Sequence, residues 1–298
     1  MLLCQPPIRT TEEEKEGGGN VNMTESGAQL FARLDGRQSV RDIEPRLFPQ
    51  NAQPGPGAVV ELYGTEGTGK TELLYHFLCR AVLPVHAGGL ELEVLFVDTD
   101  YSLDVLRLVG ILDARLLAAA AESSIWPQRP EAHVRACLSR LLVAHCDSSR
   151  QLLVTLHTLE ARLVSRPGPA LVLLDSASAF YWSDRGEGGA SVSKQEENLR
   201  KCSQLLAALL RDYRISVFAS CHANRRRCGH ASSSFSHLCR PWQRLVTHRV
   251  LCSRQEVAPA RGGPRGHVFS AHCTSSSSGG KAYRNCSFRI GDGGLEFV

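Results

Sequence analysis

The sequence predicts an α/β fold in which helices flank a mostly parallel central sheet. Short, continuous apolar runs are typical of strands buried on both faces, and five of them lie at 58–63, 94–97, 141–145, 170–174 and 215–219. Helical patterns alternate with these runs, at about 70–83, 102–121, 148–165 and 193–212. A helix between two strands carries the chain back across the sheet, so this alternation indicates parallel strands. A glycine-rich loop separates the first strand from the first helix.

Composition divides the chain into three parts. Residues 1–22 are polar, acidic and rich in glycine, and we expect them to form a disordered N-terminal extension. Residues 23–57 carry an N-terminal helix, with Leu30 and Leu34 at helical spacing, followed by a linker rich in proline and glycine. Residues 58–298 then form the α/β domain.

The carboxy-terminal third of the chain is basic. Residues 213–290 hold 13 Lys or Arg and one acidic residue, a balance of +12, whereas the whole chain has a formal net charge of +4. Beyond residue 222 we expect an irregular part, broken by strands at 246–252 and 285–290. Its charge predicts a polyanionic partner, and a solvated arginine-rich loop is the alternative. The candidates for phosphate contacts, or for a nuclear import signal, are Arg225, Arg226 and Arg227.

Cysteine usage and hydropathy indicate a protein of the cell interior. The eleven cysteines are scattered without a CxxC pair, and we expect free thiols in a reducing compartment. No apolar run reaches the roughly 18 residues that span a bilayer, so the sequence predicts no membrane segment.

The glycine-rich loop fits the phosphate-loop pattern GxxxxGK[ST] in full. Glycines let the backbone curl so that its N–H groups point at phosphate oxygens, and the following helix adds its dipole. The lysine is expected to reach the β- and γ-phosphates of ATP, and the threonine hydroxyl to bind Mg²⁺. The predicted nucleotide-binding residues of the loop are Gly64, Thr65, Glu66, Gly67, Thr68, Gly69, Lys70 and Thr71.

Two acidic sites follow apolar strands. Asp175 ends the run 170–174, and there it is expected to hold the Mg²⁺ shell through Thr71 or through water; a helix cap is the alternative. Asp98 and Asp100 follow the run 94–97, where a carboxylate is placed to orient an attacking water as a general base.

These motifs resemble the RecA-type strand-exchange recombinases, and the resemblance runs from about residue 24 to 298. The phosphate loop, VDTD at 97–100 and LLDSASAFY at 173–181 carry it. The match narrows to a paralogue of these recombinases through four segments in order, ESGAQLFARLDGR at 25–37, EGTGKTELLYH at 66–76, VLFVDTDY at 94–101 and LRKCSQLL at 199–206. The resemblance implies a RecA-like P-loop NTPase core that binds ATP and Mg²⁺.

The same resemblance implies a function and partners. It implies DNA repair by homologous recombination in the nucleus, within a hetero-oligomeric complex of recombinase paralogues that includes paralogue D. Such a complex assists filament formation on single-stranded DNA at double-strand breaks, and branched DNA is a further candidate ligand. Residues 183–194 match the first DNA-binding loop of the recombinases, and the basic segment 222–241 falls where the second lies.

Three departures from the recombinase pattern bear on catalysis. Recombinases place a glutamate where this chain has Asp100, which shortens the reach of the carboxylate by about 1.5 Å. They place a glutamine or asparagine, the residue that senses the γ-phosphate, where this chain has His222. Their amino-terminal helix-hairpin-helix domain does not fit in the first 57 residues. We therefore expect a regulatory, ATP-binding subunit with weak or absent hydrolysis; the alternative is an active DNA-stimulated ATPase.

Overall fold

The computed structural model describes residues 39–123, 130–165, 169–189, 191–222, 238–257, 266–277 and 280–298. Three of the expectations above lie outside these ranges. They are the N-terminal extension, the helix around Leu30, and the arginine run Arg225, Arg226 and Arg227.

The parallel part of the sheet forms as expected. Its strands are β1 (Val59–Gly64), β2 (Val94–Asp98), β3 (Leu141–His145), β4 (Leu171–Asp175) and β5 (Ser216–His222). They pair in the order β3-β2-β4-β5-β1, so β1 lies beside β5 and its last residue, Gly64, is in register with His222. Because parallel strands end at one edge, this order brings Gly64, Asp98, Asp175 and His222 to the same edge of the sheet.

Helices flank both faces of the sheet. They are α1 (Lys70–Val82), α2 (Val105–Ser123), α3 (Pro130–Leu138), α4 (Ser149–Ser165), α5 (Tyr181–Glu187), α6 (Val192–Gln195), α7 (Glu197–Tyr213) and α8 (Arg240–Leu245). The single helix expected at 193–212 is divided, because the chain leaves helical geometry at Glu196 (φ −104°, ψ 1°).

Where the structure describes it, the carboxy-terminal part is more regular than expected, and the strands expected at 246–252 and 285–290 belong to longer ones. Strands β6 (His248–Val257), β7 (Gly266–Ser277), β8 (Gly280–Gly291) and β9 (Gly294–Phe297) extend the sheet beyond β1. Strand β6 runs parallel to β1, and β7, β8 and β9 are antiparallel to their neighbours. Buried side chains such as Val250, Phe269 and Phe288 alternate with more exposed, mostly polar ones along β6, β7 and β8. These strands therefore lack the continuous apolar runs that mark the parallel strands.

Two hydrophobic layers cover the sheet. One contains residues of α1, α2, α3, the segment 40–48 and the inner face of β6–β9, and the other contains residues of α4, α7 and α8. Phe77 of α1 lies at the centre of the first layer, with its ring 4.9 Å from that of Phe218 and 6.0 Å from that of Phe48. This packing fixes α1, and with it the loop that precedes α1, against the middle of the sheet.

Candidate nucleotide-binding site

The phosphate loop connects β1 to α1 at the carboxyl edge of the sheet. Gly67 and Gly69 have φ of +70° and +83°, a left-handed conformation that glycine adopts without a steric penalty. A Cβ on Gly64 would lie 2.5 Å from the carbonyl oxygen of Cys252 on β6. The backbone curl that the motif predicts is therefore present, and β6 closes on one side of the loop.

Lys70 is held inside this loop. Its side chain is buried, and Nζ donates to the carbonyl oxygens of Gly64 (3.1 Å) and Thr65 (2.8 Å). Burial lowers the pKa of Lys70, since the charged ammonium loses water. The hydroxyl of Thr68 also donates to the Thr65 carbonyl, at 2.8 Å. The loop thus presents a cation at the start of α1, where the helix dipole favours an anion.

The structure brings Asp175 and Thr71 together beside the loop. The Thr71 hydroxyl donates to Oδ2 of Asp175 at 2.8 Å. Two serines that the motifs did not indicate complete the surroundings of this carboxylate: Ser102 donates to Oδ2 at 3.2 Å, and Ser220 donates to Oδ1. A hydroxyl beside a carboxylate is the donor set that Mg²⁺ with nucleotide phosphates uses.

A bound nucleotide and its metal fit this arrangement. Gly67 and Gly69 have the positive φ that lets the loop curl around an anion, and the Lys70 ammonium lies inside the loop against the carbonyls of Gly64 and Thr65. Among the residues that the structure describes, no group of three or more His, Cys, Asp or Glu side chains is placed to hold a metal on its own. Mg²⁺ held by Thr71, with Asp175 behind it, would therefore need phosphate and water oxygens as its other ligands.

The structure separates the roles of the two carboxylates after β2. Asp98 is buried and accepts the backbone N–H groups of Ser102 (3.0 Å) and Leu103 (3.1 Å), so it holds the turn that follows β2. Asp100 is about one-third exposed. Its Oδ2 accepts the Ser176 hydroxyl at 3.0 Å and lies 3.7 Å from Nε2 of His222.

Asp100 and His222, the two positions that depart from the recombinase pattern, therefore face each other. The neighbouring imidazole of His222 and the hydroxyl of Ser176 lower the pKa of Asp100 despite its partial burial. The backbone N–H of His222 donates to the Ser178 hydroxyl at 2.9 Å, which fixes the end of β5 beside β4. Sequence alone indicated each residue, but only the sheet order shows that they form a pair.

An exposed aromatic cluster begins α5, next to the segment 183–194. Trp182 is 63% exposed, and its ring centroid lies 5.0 Å from that of Tyr181. The guanidinium of Arg185 lies 5.8 Å from both rings and donates to the Tyr181 hydroxyl at 2.7 Å. An exposed indole beside a cation is a surface on which a nucleic-acid base can stack.

The Rad51 family model matches residues 55–296, most of the chain. This chain belongs to the Rad51 family. It is 42% identical over 287 residues to the DNA repair protein XRCC2 of Mus musculus. The aligned region covers 92% of this chain and 97% of the mouse protein. It is also 33% identical over 158 residues to the DNA repair protein XRCC2 homolog of Arabidopsis thaliana, covering 43% and 42% of the two chains.

A second mammalian member of the Rad51 family is more distant. The DNA repair protein RAD51 homolog 2 of Mus musculus is 28% identical over 166 residues, which is 54% of this chain and 44% of that protein. The predicted resemblance to recombinase paralogues, the RecA-like fold class and the assignment to homologous-recombination DNA repair are confirmed at the level of the Rad51 family. Within the described ranges, no helix has the length and apolar character needed to span a bilayer.

Proposed function

We propose that this chain is an ATP-binding, regulatory subunit of a recombinase-paralogue complex, and that it hydrolyses ATP slowly or not at all. The observation that carries the proposal is an intact phosphate loop beside Asp100, a carboxylate that already contacts other side chains of the protein. Lys70 lies inside the loop and the Thr71 hydroxyl donates to Asp175, whereas Asp100 accepts from Ser176 and lies beside His222.

Nucleotide binding rests on the phosphate loop and α1. With ATP bound, Lys70 would exchange the carbonyls of Gly64 and Thr65 for phosphate oxygens, and the first N–H groups of α1 would face the same anion. Thr71 would hold Mg²⁺, with Asp175 accepting the Thr71 hydroxyl. A bound Mg²⁺ would supply charge neutralisation at the phosphates, and Lys70 and the start of α1 would orient the triphosphate.

Slow hydrolysis is expected from the short side chain of Asp100 and from the contacts that it already makes. A general base must lie within hydrogen-bond reach of the water that it activates. The aspartate is one methylene shorter than the glutamate of the recombinases, and its Oδ2 already accepts from Ser176. Nε2 of His222 lies 3.7 Å from the same oxygen. A misplacement of about 1 Å can cost on the order of 100-fold in rate.

Assembly with other paralogues, paralogue D among them, is supported by the free edge of the sheet. Strand β3 is the last strand on its side of the described sheet. Val143 on this strand and Val154 on the following helix α4 are 41% and 63% exposed. An unpaired edge with apolar neighbours is suited to accept an extended segment of a partner.

Binding of single-stranded or branched DNA is supported by the exposed cluster of Trp182 and Arg185, and by the positive balance of 213–290. Together with family membership, these features support a nuclear role in which the complex assists filament formation on single-stranded DNA at double-strand breaks. Arg225, Arg226 and Arg227 remain candidates for phosphate contacts.

A double-mutant cycle tests the hydrolysis proposal. ATP turnover of the complex is measured for the unchanged protein, Asp100→Glu, His222→Gln and the double variant, each with and without single-stranded DNA. We expect the double variant, which has the recombinase residues at both positions, to turn over ATP at least about 10-fold faster than the unchanged protein. Rapid DNA-stimulated turnover by the unchanged protein would instead favour the alternative, an active ATPase.

A further inference from the structure

Asp184 lies on the side of α5 that is turned away from the exposed Trp182. Trp182 and Arg185 are three residues apart and therefore share one side of this helix. Asp184 follows Trp182 by two residues, which places it on the opposite side. Accordingly, Asp184 is partly buried, whereas Trp182 is 63% exposed. One side of α5 thus faces the protein and the other faces solvent.

The side chain of Asp184 joins α5 to two other helices. Its Oδ1 accepts the hydroxyl of Ser149, the first residue of α4, at 2.7 Å. Nδ2 of Asn198, in the first turn of α7, donates to the Ser149 hydroxyl at 2.9 Å and lies 3.5 Å from Oδ1 of Asp184. Ser149 is only 5% exposed. The three side chains therefore connect α5 to α4 and α7 in a place that is largely shielded from water.

The short helix α5 depends on tertiary contacts for its position. It has seven residues and no side-chain cap at its first turn, and a helix of this length is not stable alone. Phe180 packs its start against the hydrophobic layer of α4 and α7. An ion pair joins Glu187 to Arg150 of α4 at 3.3 Å, but the two side chains are 66% and 78% exposed, and such pairs contribute little. Hydrogen bonds to a partly buried carboxylate are stronger, so Asp184 is the main polar anchor of α5 among the described contacts.

We infer that Asp184 is a positioning residue: its contacts with Ser149 and Asn198 hold α5 so that the exposed aromatic cluster faces a single-stranded nucleic acid. The inference rests on the proposed function, in which bases stack on this cluster. A carboxylate repels a phosphate backbone, so Asp184 acts through α5 and not by touching the nucleic acid. Without this anchor α5 can turn, and binding must then also order the helix, which weakens affinity.

Two substitutions of Asp184 separate its hydrogen bond from its charge. Asp184→Asn and Asp184→Ala both remove the negative charge, but only asparagine keeps an oxygen that accepts from Ser149. The Kd of labelled oligo-dT for the paralogue complex is measured by fluorescence anisotropy for both variants and for Ser149→Ala. Trp182→Ala gives the contribution of the cluster itself. Glu187→Gln, which breaks the exposed ion pair of the same helix, is the matched control.

We expect Asp184→Ala and Ser149→Ala to bind oligo-dT at least about 5-fold more weakly than Asp184→Asn and Glu187→Gln, and to approach the Kd of Trp182→Ala. Hydrogen exchange followed by mass spectrometry distinguishes this effect from general destabilisation. The backbone amides of 181–187 should exchange faster in Asp184→Ala and Ser149→Ala, while those of the central strand β4 keep their protection.

Equal Kd values for Asp184→Ala and Asp184→Asn, with weaker binding by Trp182→Ala, would overturn the inference and leave the proposed nucleic-acid surface standing. Unchanged binding by Trp182→Ala would instead overturn base stacking at this cluster, and with it that part of the proposed function. If Ser149→Ala does not fold, the two Asp184 variants decide the result, because they leave the sequence of α4 unaltered.

Discussion

His76 on α1 lies in a buried polar network whose geometry predicts how the protein responds to acid. Its Nε2 is 2.7 Å from Oε2 of Glu44, and its Nδ1 is 2.7 Å from Nη2 of Arg115. A guanidinium can only donate, so Nδ1 must accept and the proton must sit on Nε2. The imidazole is therefore neutral in the folded protein and donates to Glu44, which also accepts two side-chain bonds from Arg46.

The size of the stability loss in acid follows from the pKa of His76, which burial lowers from 6.5 to about 4. The unfolded chain therefore binds a proton between these values that the folded protein does not, and stability present above pH 6.5 is lost as the pH falls toward 4. Between pH 7 and pH 5 this loss is about 2 kcal/mol of unfolding free energy. Burial alone would raise the pKa of Glu44, but hydrogen bonds from His76 and Arg46 lower it to about 2, so its own loss begins only below about pH 4.5.

Urea unfolding at pH 7 and pH 5 measures this loss. Other groups titrate in the same range, so the comparison is with His76→Gln, which can donate to Glu44 without becoming charged. We expect the free energy of unfolding to fall by about 2 kcal/mol more in the unchanged protein than in His76→Gln. The exposed His157 provides the control, because His157→Gln should keep the full pH dependence. Equal pH dependence of the unchanged protein and His76→Gln would show that protonation of His76 does not cause the loss of stability.

Three further predictions concern packing, the loop and the exposed cluster. Phe77→Ala should lower the free energy of unfolding by about 3–5 kcal/mol in urea titrations, because the ring is fully buried; a loss below about 1 kcal/mol would contradict the packing described. Gly69→Ala should weaken ATP binding in a calorimetric titration, because Gly69 has φ +83° and a Cβ would lie 3.3 Å from Phe269; an unchanged Kd would contradict this. Trp182→Ala should change stability by less than about 0.5 kcal/mol yet weaken oligo-dT binding by about 10-fold or more, measured by fluorescence anisotropy. Unchanged affinity would exclude base stacking there.

The parallel strands β1, β2, β4 and β5 could be predicted from the sequence because they are buried on both faces. Val94–Val97 and Leu171–Leu174 are continuous apolar runs for this reason, and their ends place Asp98 and Asp175 on one edge of the sheet. The antiparallel strands β7 and β8 could not be predicted from the sequence, since one face of each is polar. There Phe269, Ala271 and Cys273 alternate with serine, histidine and threonine, a pattern that is easily taken for a loop.

The candidate site also has residues that the sequence predicted and contacts that it could not predict. The phosphate-loop motif indicated Lys70 and Thr71, because each of those residue types is needed at a fixed spacing for phosphate and Mg²⁺. The contacts of Asp175 with Ser102 and Ser220 had no such signal, since they join the ends of different strands and depend on the order β2-β4-β5. Local sequence patterns do not contain strand order, which is a property of the whole sheet.

We expect the chain to bind ATP at this loop and to retain it without rapid turnover. The most direct test is a single-turnover experiment on the paralogue complex with Mg²⁺ and radiolabelled ATP, with and without single-stranded DNA, beside a complex carrying Lys70→Ala. Because the complex contains other P-loop subunits, each of these carries its own loop lysine-to-alanine change in both samples. We expect labelled ATP to bind only when Lys70 is present, and to remain largely unhydrolysed with DNA. Equal binding by the Lys70→Ala complex, or rapid DNA-stimulated hydrolysis that depends on Lys70, would contradict the account.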